Sequence, residues 1–249
     1  MVFKLRKPFQ GVVNIIRFNW HLYIISLAIL LIIGLFLRQF DGIIHLILFT
    51  LSVGILANTL ISLAVSYFVY DYSSLYTFDW LKRLPILPGN TLVNIHAGFD
   101  ESSLTIKNNY VENALRILDF YDPKLHTEVS IKRARAAYPA LPETESITTS
   151  QLPLPNQSAD FVFLILAAHE IRSPKERLIF FQELKRILTP DGKVILLEHQ
   201  RDIYNFMAYS IGFFHFYPSS TWKKLFKESH FAIQEQFKIT PFITAYILQ

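Results

Sequence analysis

The sequence predicts an α/β fold, a doubly wound sheet with a C-terminal antiparallel hairpin, preceded by two transmembrane helices. Three observations predict it. Two long apolar runs near the N-terminus carry no formal charge. Beyond Leu84, short apolar runs alternate with polar stretches of helical character, the pattern of an α/β layer fold. The last two apolar runs follow each other almost directly, like the arms of a hairpin.

The first run is "LYIISLAILLIIGLFL", Leu22–Leu37; with Trp20 and His21 it is 18 residues long. At about 1.5 Å per residue, that is just enough to cross a hydrocarbon core of roughly 30 Å. "RQFDG" follows, then Ile43–Tyr70, again without a formal charge. Two such helices joined by five residues read as a transmembrane hairpin. No small-residue cleavage site follows the first run and a second span does, which argues against a signal peptide. Lys4, Arg6, Lys7 and Arg17 precede the first span, and Lys82 and Arg83 follow the second. The tight loop holds one cation, Arg38, beside Asp41. The positive-inside rule then places both termini, and the domain that follows, on the cytoplasmic side.

Hydrophobic residues make up 51% of the 249, high for a purely soluble chain and consistent with a lipid bilayer as partner. The net charge of +4 has no dense Lys/Arg run behind it, so it suits anionic lipid and excludes a dedicated nucleic-acid binder. The absence of cysteine excludes disulfides, zinc-thiolate sites and cysteine nucleophiles. No sequence feature points to a particular oligomeric state.

"LPILPGN", Leu84–Asn90, is a Pro/Gly linker that divides the membrane part, 1–83, from a soluble domain, 84–249. Thr91–Ile95 is a first strand, Glu101–Asn113 a helix and Leu115–Phe120 a second strand. Asp122–Tyr138 reads as a helix with Asp122 at its N-cap and Pro123 at its first position. Asp160–Ala168 is a continuous apolar run, as a strand buried on both faces should be. "SPKE", Ser173–Glu176, is a capping box opening a helix over Pro174–Leu188, with Leu178, Phe181, Leu184 and Leu188 on its core face. A turn at Thr189–Gly192 leads to a buried strand, Lys193–His199. Strand, helix, turn and strand make a right-handed parallel βαβ unit. Ser219–His230 is a capped helix, and Phe231–Ile239 and Thr240–Leu248 are the hairpin.

The stretch "LPLPNQSADFVFLILAAHEIRSPKERLIFFQELKRILTPDGKVILLEH", Leu152–His199, resembles the second half of class I S-adenosylmethionine-dependent methyltransferases of the methyltransferase 11 type. The helix and edge hairpin after it also look like that family. The resemblance covers roughly Leu84–Gln249 and leaves out the membrane hairpin. It implies a Rossmann-like sheet and S-adenosyl-L-methionine as cofactor. In the family the first strand ends in an acid and is followed by G-x-G-x-G, glycines that let backbone approach the cofactor. Matched here, the acid becomes Asn94 and the glycine positions become His96, Gly98 and Asp100, so one glycine is retained. The acid that holds the ribose hydroxyls matches Asp119, 21 residues after Gly98, with Asp122 as the alternative. Thr148 and Thr149 stand where the adenine is gripped. Ala167, Ala168 and His169 stand where cofactor and substrate meet.

Methyl transfer from a sulfonium is a displacement, and alignment supplies much of its rate. A phenolic acceptor gains from a general base, for which histidine suits pH 7. His169, at a strand's carboxyl end, is the first catalytic candidate, His199 the second and His215 the third. The spacing of His96, His169 and His199 gives no metal-binding pattern, and no metal is expected. Glu198 either orients a histidine or bridges to Arg201. The aromatic stretch Phe206–Tyr217 fits an apolar acceptor pocket, and Tyr70–Leu81 either roofs the site or lies at the lipid surface. Two readings stand. One is a membrane-anchored methyltransferase acting on a lipophilic small molecule, such as a phenolic, quinone-like or aryl-polyene lipid. The other is a non-catalytic scaffold or binding subunit, which the altered glycine loop favours. A nicotinamide dehydrogenase would need a G-x-G-x-x-G loop, and none is present.

Overall fold

The computed structural model describes residues 6–249; the expectation for Lys4 lies outside the described residues. Ahead of the first span stands an amphipathic helix that the sequence reading did not assign: α1, Gln10–Phe18. Both carboxylate oxygens of Asp71 accept from its first turn, at 2.7 Å from the Gly11 N–H and 2.8 Å from the Val12 N–H. An anion there satisfies orphan donors and faces the positive end of the helix dipole. α1 is thereby tied to the segment that leaves the second long helix.

α2, Trp20–Leu37, and α3, Gly42–Tyr67, form the expected helical hairpin, and α3 continues into a π turn at Phe68–Tyr72. Both are long and apolar enough to cross a membrane, and almost none of their apolar surface is buried within the protein. Helices serving as the core of a soluble fold would show the reverse.

The remaining chain forms a seven-stranded sheet in the order β3-β2-β1-β4-β5-β7-β6. The strands are β1 Thr91–His96, β2 Ala114–Asp119, β3 Thr144–Ser146, β4 Ala159–Ile165, β5 Leu188–His199, β6 Ile233–Thr240 and β7 Ile243–Leu248. β1 to β5 are parallel, and β7 enters antiparallel between β5 and β6. The helices among them are α4 Ser103–Asn109, α5 Val129–Ala137, α6 Pro174–Ile187, α7 Ile203–Tyr209 and α8 Ser219–Glu228. The chain reverses strand order between β1 and β4, so the carboxyl ends of these strands border the crevice where open α/β sheets bind ligands.

Three details differ from the sequence reading. The helix expected from Asp122 begins only at Val129, because Asp122 closes a local turn instead. Its backbone N–H donates to His126 Nδ1 and its carboxylate accepts from the Lys124 N–H, at 2.8 Å each. The turn expected at Thr189–Gly192 is absorbed into β5, with Leu188 paired to Ala159 ahead of a register shift. Finally, the juxtamembrane segment Tyr70–Leu81 divides: Tyr70 and Tyr76 face the site described below, and the residues buried away from it and from any lipid surface are Leu75, Phe78 and Leu81. They pack with Phe163, Ile195 and Ile243 on one face of the sheet, while α6 and α8 cover the other through Phe181, Trp222 and Phe226. Each such buried side chain stabilises the fold by roughly 1.5–3 kcal/mol. The structural core of the soluble domain therefore starts before Leu84.

Candidate functional site

Strand β1 ends on the loop that the sequence singles out. Gly98 takes φ +87°, a left-handed conformation natural to glycine. Asp100 is spent on the next helix, its Oδ1 accepting from the Ser102 and Ser103 N–H groups at 2.9 Å each. Asn94 is buried, and its amide donates to the Ser102 and Ser103 hydroxyls at 2.9 and 2.7 Å. The Gly98 N–H donates to His96 Nδ1 at 3.2 Å. Asn94 Oδ1, His96 Nε2 and Asp100 Oδ2 are buried without a protein partner, which marks an incompletely satisfied polar pocket.

Asp119 ends β2 as expected, paired in register with His96. One carboxylate oxygen accepts from the Tyr121 N–H at 2.9 Å, and the other from the Arg135 guanidinium of α5. Arg135 also lies over the glycine: a Cβ on Gly98 would sit 2.7 Å from its Cδ and Nη1. It thus covers both the glycine turn and the acid. Its side chain is 35% exposed.

At the ends of β4 and β5 lies a second cluster. Leu166 holds φ +53°, a strained value for a non-glycine residue, just before His169. Glu198 is fully buried; it accepts from the His169 N–H at 3.1 Å and lies 2.7 Å from His169 Nδ1. Glu170 Oε1 lies 3.2 Å from His169 Nε2 and 3.6 Å from His215 Nε2. His215 also touches Arg172 and lies 3.4 Å from Glu128. Burial favours the neutral imidazole at His169, but Glu198 and Glu170 more than reverse this and raise it to about 10. Burial likewise opposes charge on Glu170, and the two histidines hold it well below the carboxylate range.

His199 is built differently. Asn205 uses its amide nitrogen on Asp202 and the Phe242 carbonyl, so its oxygen accepts from His199 Nδ1 at 2.9 Å. His199 Nε2 then accepts from the Tyr70 hydroxyl at 2.8 Å. Both ring nitrogens are committed, and burial lowers its pKa to about 4. The sign follows directly: the unfolded ring, near 6.5, binds the proton that the folded ring refuses. Stability is fully present above pH 6.5 and falls toward pH 4, by about 3 kcal/mol for 2.5 units at ~1.4 kcal/mol each. Thermal unfolding in detergent should show this slope in the wild type and not in His199→Gln.

Between the clusters and the long helices is a cavity of about 460 Å³. His169, His199 and Leu166 line its sheet end, and Phe18, Leu22 and Ser62 its far end. Glu101 lies on its wall, held by Arg6 at 2.6 Å and by the Tyr76 hydroxyl at 3.0 Å.

Residues 125–196 match the family model of a methyltransferase domain, methyltransferase 11. The fold of the part that follows the long helices is therefore that of class I S-adenosylmethionine-dependent methyltransferases, as the solved structures also show. An S-adenosylmethionine-dependent methyltransferase from Aquifex aeolicus has TM-score 0.51 at 17% identity, covering 72% of this chain and 93% of its own. A methyltransferase–activator complex from Haloferax volcanii gives TM-score 0.50 at 14% identity, covering 71% and 88%. No curated protein sequence matches the chain.

On this fold, the sequence candidates fall into three groups. Asn94, His96, Gly98, Asp100 and Asp119 lie at the glycine turn. Ala167, His169, His199 and His215 gather at the β4 and β5 ends, with Ala167 buried and the three histidines on the cavity. Thr149 is occupied elsewhere, donating to Glu176 at 2.7 Å, and Thr148 is exposed. Arg135 and Glu128 were not singled out for the site, and Tyr70 only as part of the segment Tyr70–Leu81. Arg135 lay within an ordinary basic helix end, and Tyr70 and Glu128 reach the site only through tertiary packing.

Proposed function

We propose that the protein is a membrane-anchored S-adenosylmethionine-dependent methyltransferase that acts on a lipophilic small molecule. The observation that carries this reading is the cavity, which runs from the carboxyl ends of β4 and β5 to the base of α1, α2 and α3. An acceptor dissolved in the bilayer would enter beside Phe18 and Leu22 without crossing water. α1 and α7, which both contribute to the cavity wall, also carry exposed apolar side chains: Phe9 just before α1, Val13 and Ile16 on it, and Phe206, Met207 and Ile211 around α7. Such surfaces belong at a lipid interface. Arg6, Lys7, Arg17, Lys82 and Arg83 near the two ends of the hairpin support the cytoplasmic placement of the domain.

The residues present fit the cofactor once Arg135 swings away. Asp119 then offers its carboxylate to the ribose hydroxyls, and Gly98 admits backbone close to the cofactor. The unpartnered Asn94 Oδ1 and His96 Nε2 await polar partners. When bound, S-adenosylmethionine supplies an electrophilic methyl group, which passes to the acceptor as the carbon–sulfur bond breaks. The domain's own residues do the positioning. The cavity walls exclude water and hold the acceptor in line, beside the ion-paired His169 and Glu170.

Arg135 across Gly98 and Asp119 favours the second reading, a methyltransferase-like scaffold without cofactor. One experiment separates them. Purified protein in nanodiscs is incubated with methyl-labelled S-adenosylmethionine and an organic extract of membranes. Label should pass into the organic phase and remain there after washing. No transfer, or transfer only to water-soluble products, would overturn the proposal.

A further inference from the structure

Glu170 is 4% exposed, and its Oε2 has no hydrogen-bond partner. Its other oxygen faces two imidazoles. His169 Nε2, Glu170 Oε1 and a His215 ring nitrogen all lie within 4.8 Å of one another. Two of these separations are 3.2 and 3.6 Å. Donors about 2.0–2.2 Å from a shared ion stand roughly 3.0–3.4 Å apart, so only a small contraction separates this arrangement from a ligand set.

Three further features support an ion here. First, Glu198 accepts from His169 Nδ1, which in the neutral ring leaves the Nε2 lone pair facing Glu170; a buried carboxylate behind a histidine is the usual outer-shell partner of a ligating imidazole. Second, the Arg172 guanidinium lies against the His215 ring nitrogens and 3.7 Å from Glu128, so a cation already sits beside these groups. Third, Glu128, Glu170 and Glu198 bring three carboxylates to the cluster, against the one permanent cation, Arg172. Every candidate donor also lines the cavity, which leaves one side of the set open to a small molecule.

We propose that His169, Glu170 and His215 bind one divalent first-row transition-metal ion, with Glu198 as the positioning residue for His169. Two imidazoles and one carboxylate with open positions suit Mn²⁺, Fe²⁺, Co²⁺ or Zn²⁺ better than Mg²⁺ or Ca²⁺, which prefer all-oxygen sets. Glu128 is near enough to add a further oxygen, and Arg172 shifts toward solvent as the ion enters. The open positions face the cavity. There the ion would hold an acceptor oxygen as its anion, the proton passing to water, a role that rests on the methyltransferase reading. Binding of the ion itself does not depend on that reading.

The test uses full-length protein in detergent, with any histidine tag removed and metal stripped by chelator. Co²⁺ and Zn²⁺ are titrated by calorimetry, and the Co²⁺ complex is followed by its visible absorption. One ion per chain is expected, with the ligand-field bands of nitrogen and oxygen donors. Glu170→Gln and His215→Ala should each weaken binding by more than the ~10–100-fold expected of Glu198→Gln, an outer-shell change. His215 is partly exposed, so its variant tests the site without emptying the core. Thermal melting without metal should be near wild type for His215→Ala. Absence of stoichiometric binding, or binding unchanged in both ligand variants, would overturn the proposal. Parallel titration with S-adenosylmethionine keeps the two claims apart: metal bound without cofactor supports the site and refutes the methyltransferase reading, and cofactor bound without metal does the opposite.

Discussion

Asp119→Ala should weaken S-adenosylmethionine binding by about 100-fold, measured by calorimetry on detergent-purified protein. The magnitude is that of two charge-assisted hydrogen bonds to ribose hydroxyls, at about 1.5 kcal/mol each. Arg135→Ala should act in the opposite direction. In the free protein Arg135 occupies the Asp119 carboxylate and the space over Gly98, so cofactor binding must first break that pair. A partly exposed ion pair is worth about 1 kcal/mol at most, which bounds the gain at roughly fivefold. The two variants together are more telling than either alone. If Arg135 were a fixed structural plug, its removal would destabilise the domain and leave affinity unchanged. If Asp119 only anchored α5, its removal would not touch affinity.

The second large effect concerns His169. Replacing it with alanine leaves the Glu198 carboxylate fully buried, with a single backbone N–H as partner. Removing one member of such a pair costs about 3–5 kcal/mol, because the surviving charge is uncompensated. For a domain of this size that lowers the melting temperature by on the order of 10 °C. Adding Glu198→Gln should restore part of the loss, since the double variant no longer buries an uncompensated charge at Glu198. A fall of similar size in the double variant would mean that packing, rather than charge, holds the cluster together.

The legible part of the fold was the part governed by local periodicity. The run Asp160–Ala168, the capping box at Ser173 and the run Lys193–His199 each specify one element, and their order fixes a parallel unit. Ser173 indeed caps α6, accepting from the Glu176 N–H at 3.3 Å. What the sequence did not show depends on tertiary partners. Asp122 carries the signature of an N-cap, yet His126 and Lys124 draw it into a turn. The segment Leu75–Leu81 looks amphipathic enough for a lipid surface, but the sheet face beside α4 is otherwise uncovered and takes it. The same holds at the site. His169, His199 and His215 stand at strand ends or in aromatic context, so their clustering was foreseeable from topology. The pairing of His169 with Glu170 and Glu198, and the contrasting neutrality of His199, come from which side chains point into the crevice.

The central claim, a working cofactor site behind an altered glycine loop, is tested most directly by titrating S-adenosylmethionine into wild-type protein in detergent. The structure requires Arg135 to yield Asp119 and Gly98 to the cofactor, so saturable binding of about one molecule per chain is predicted. Absence of binding at millimolar ligand would contradict the account and leave the methyltransferase domain as a scaffold.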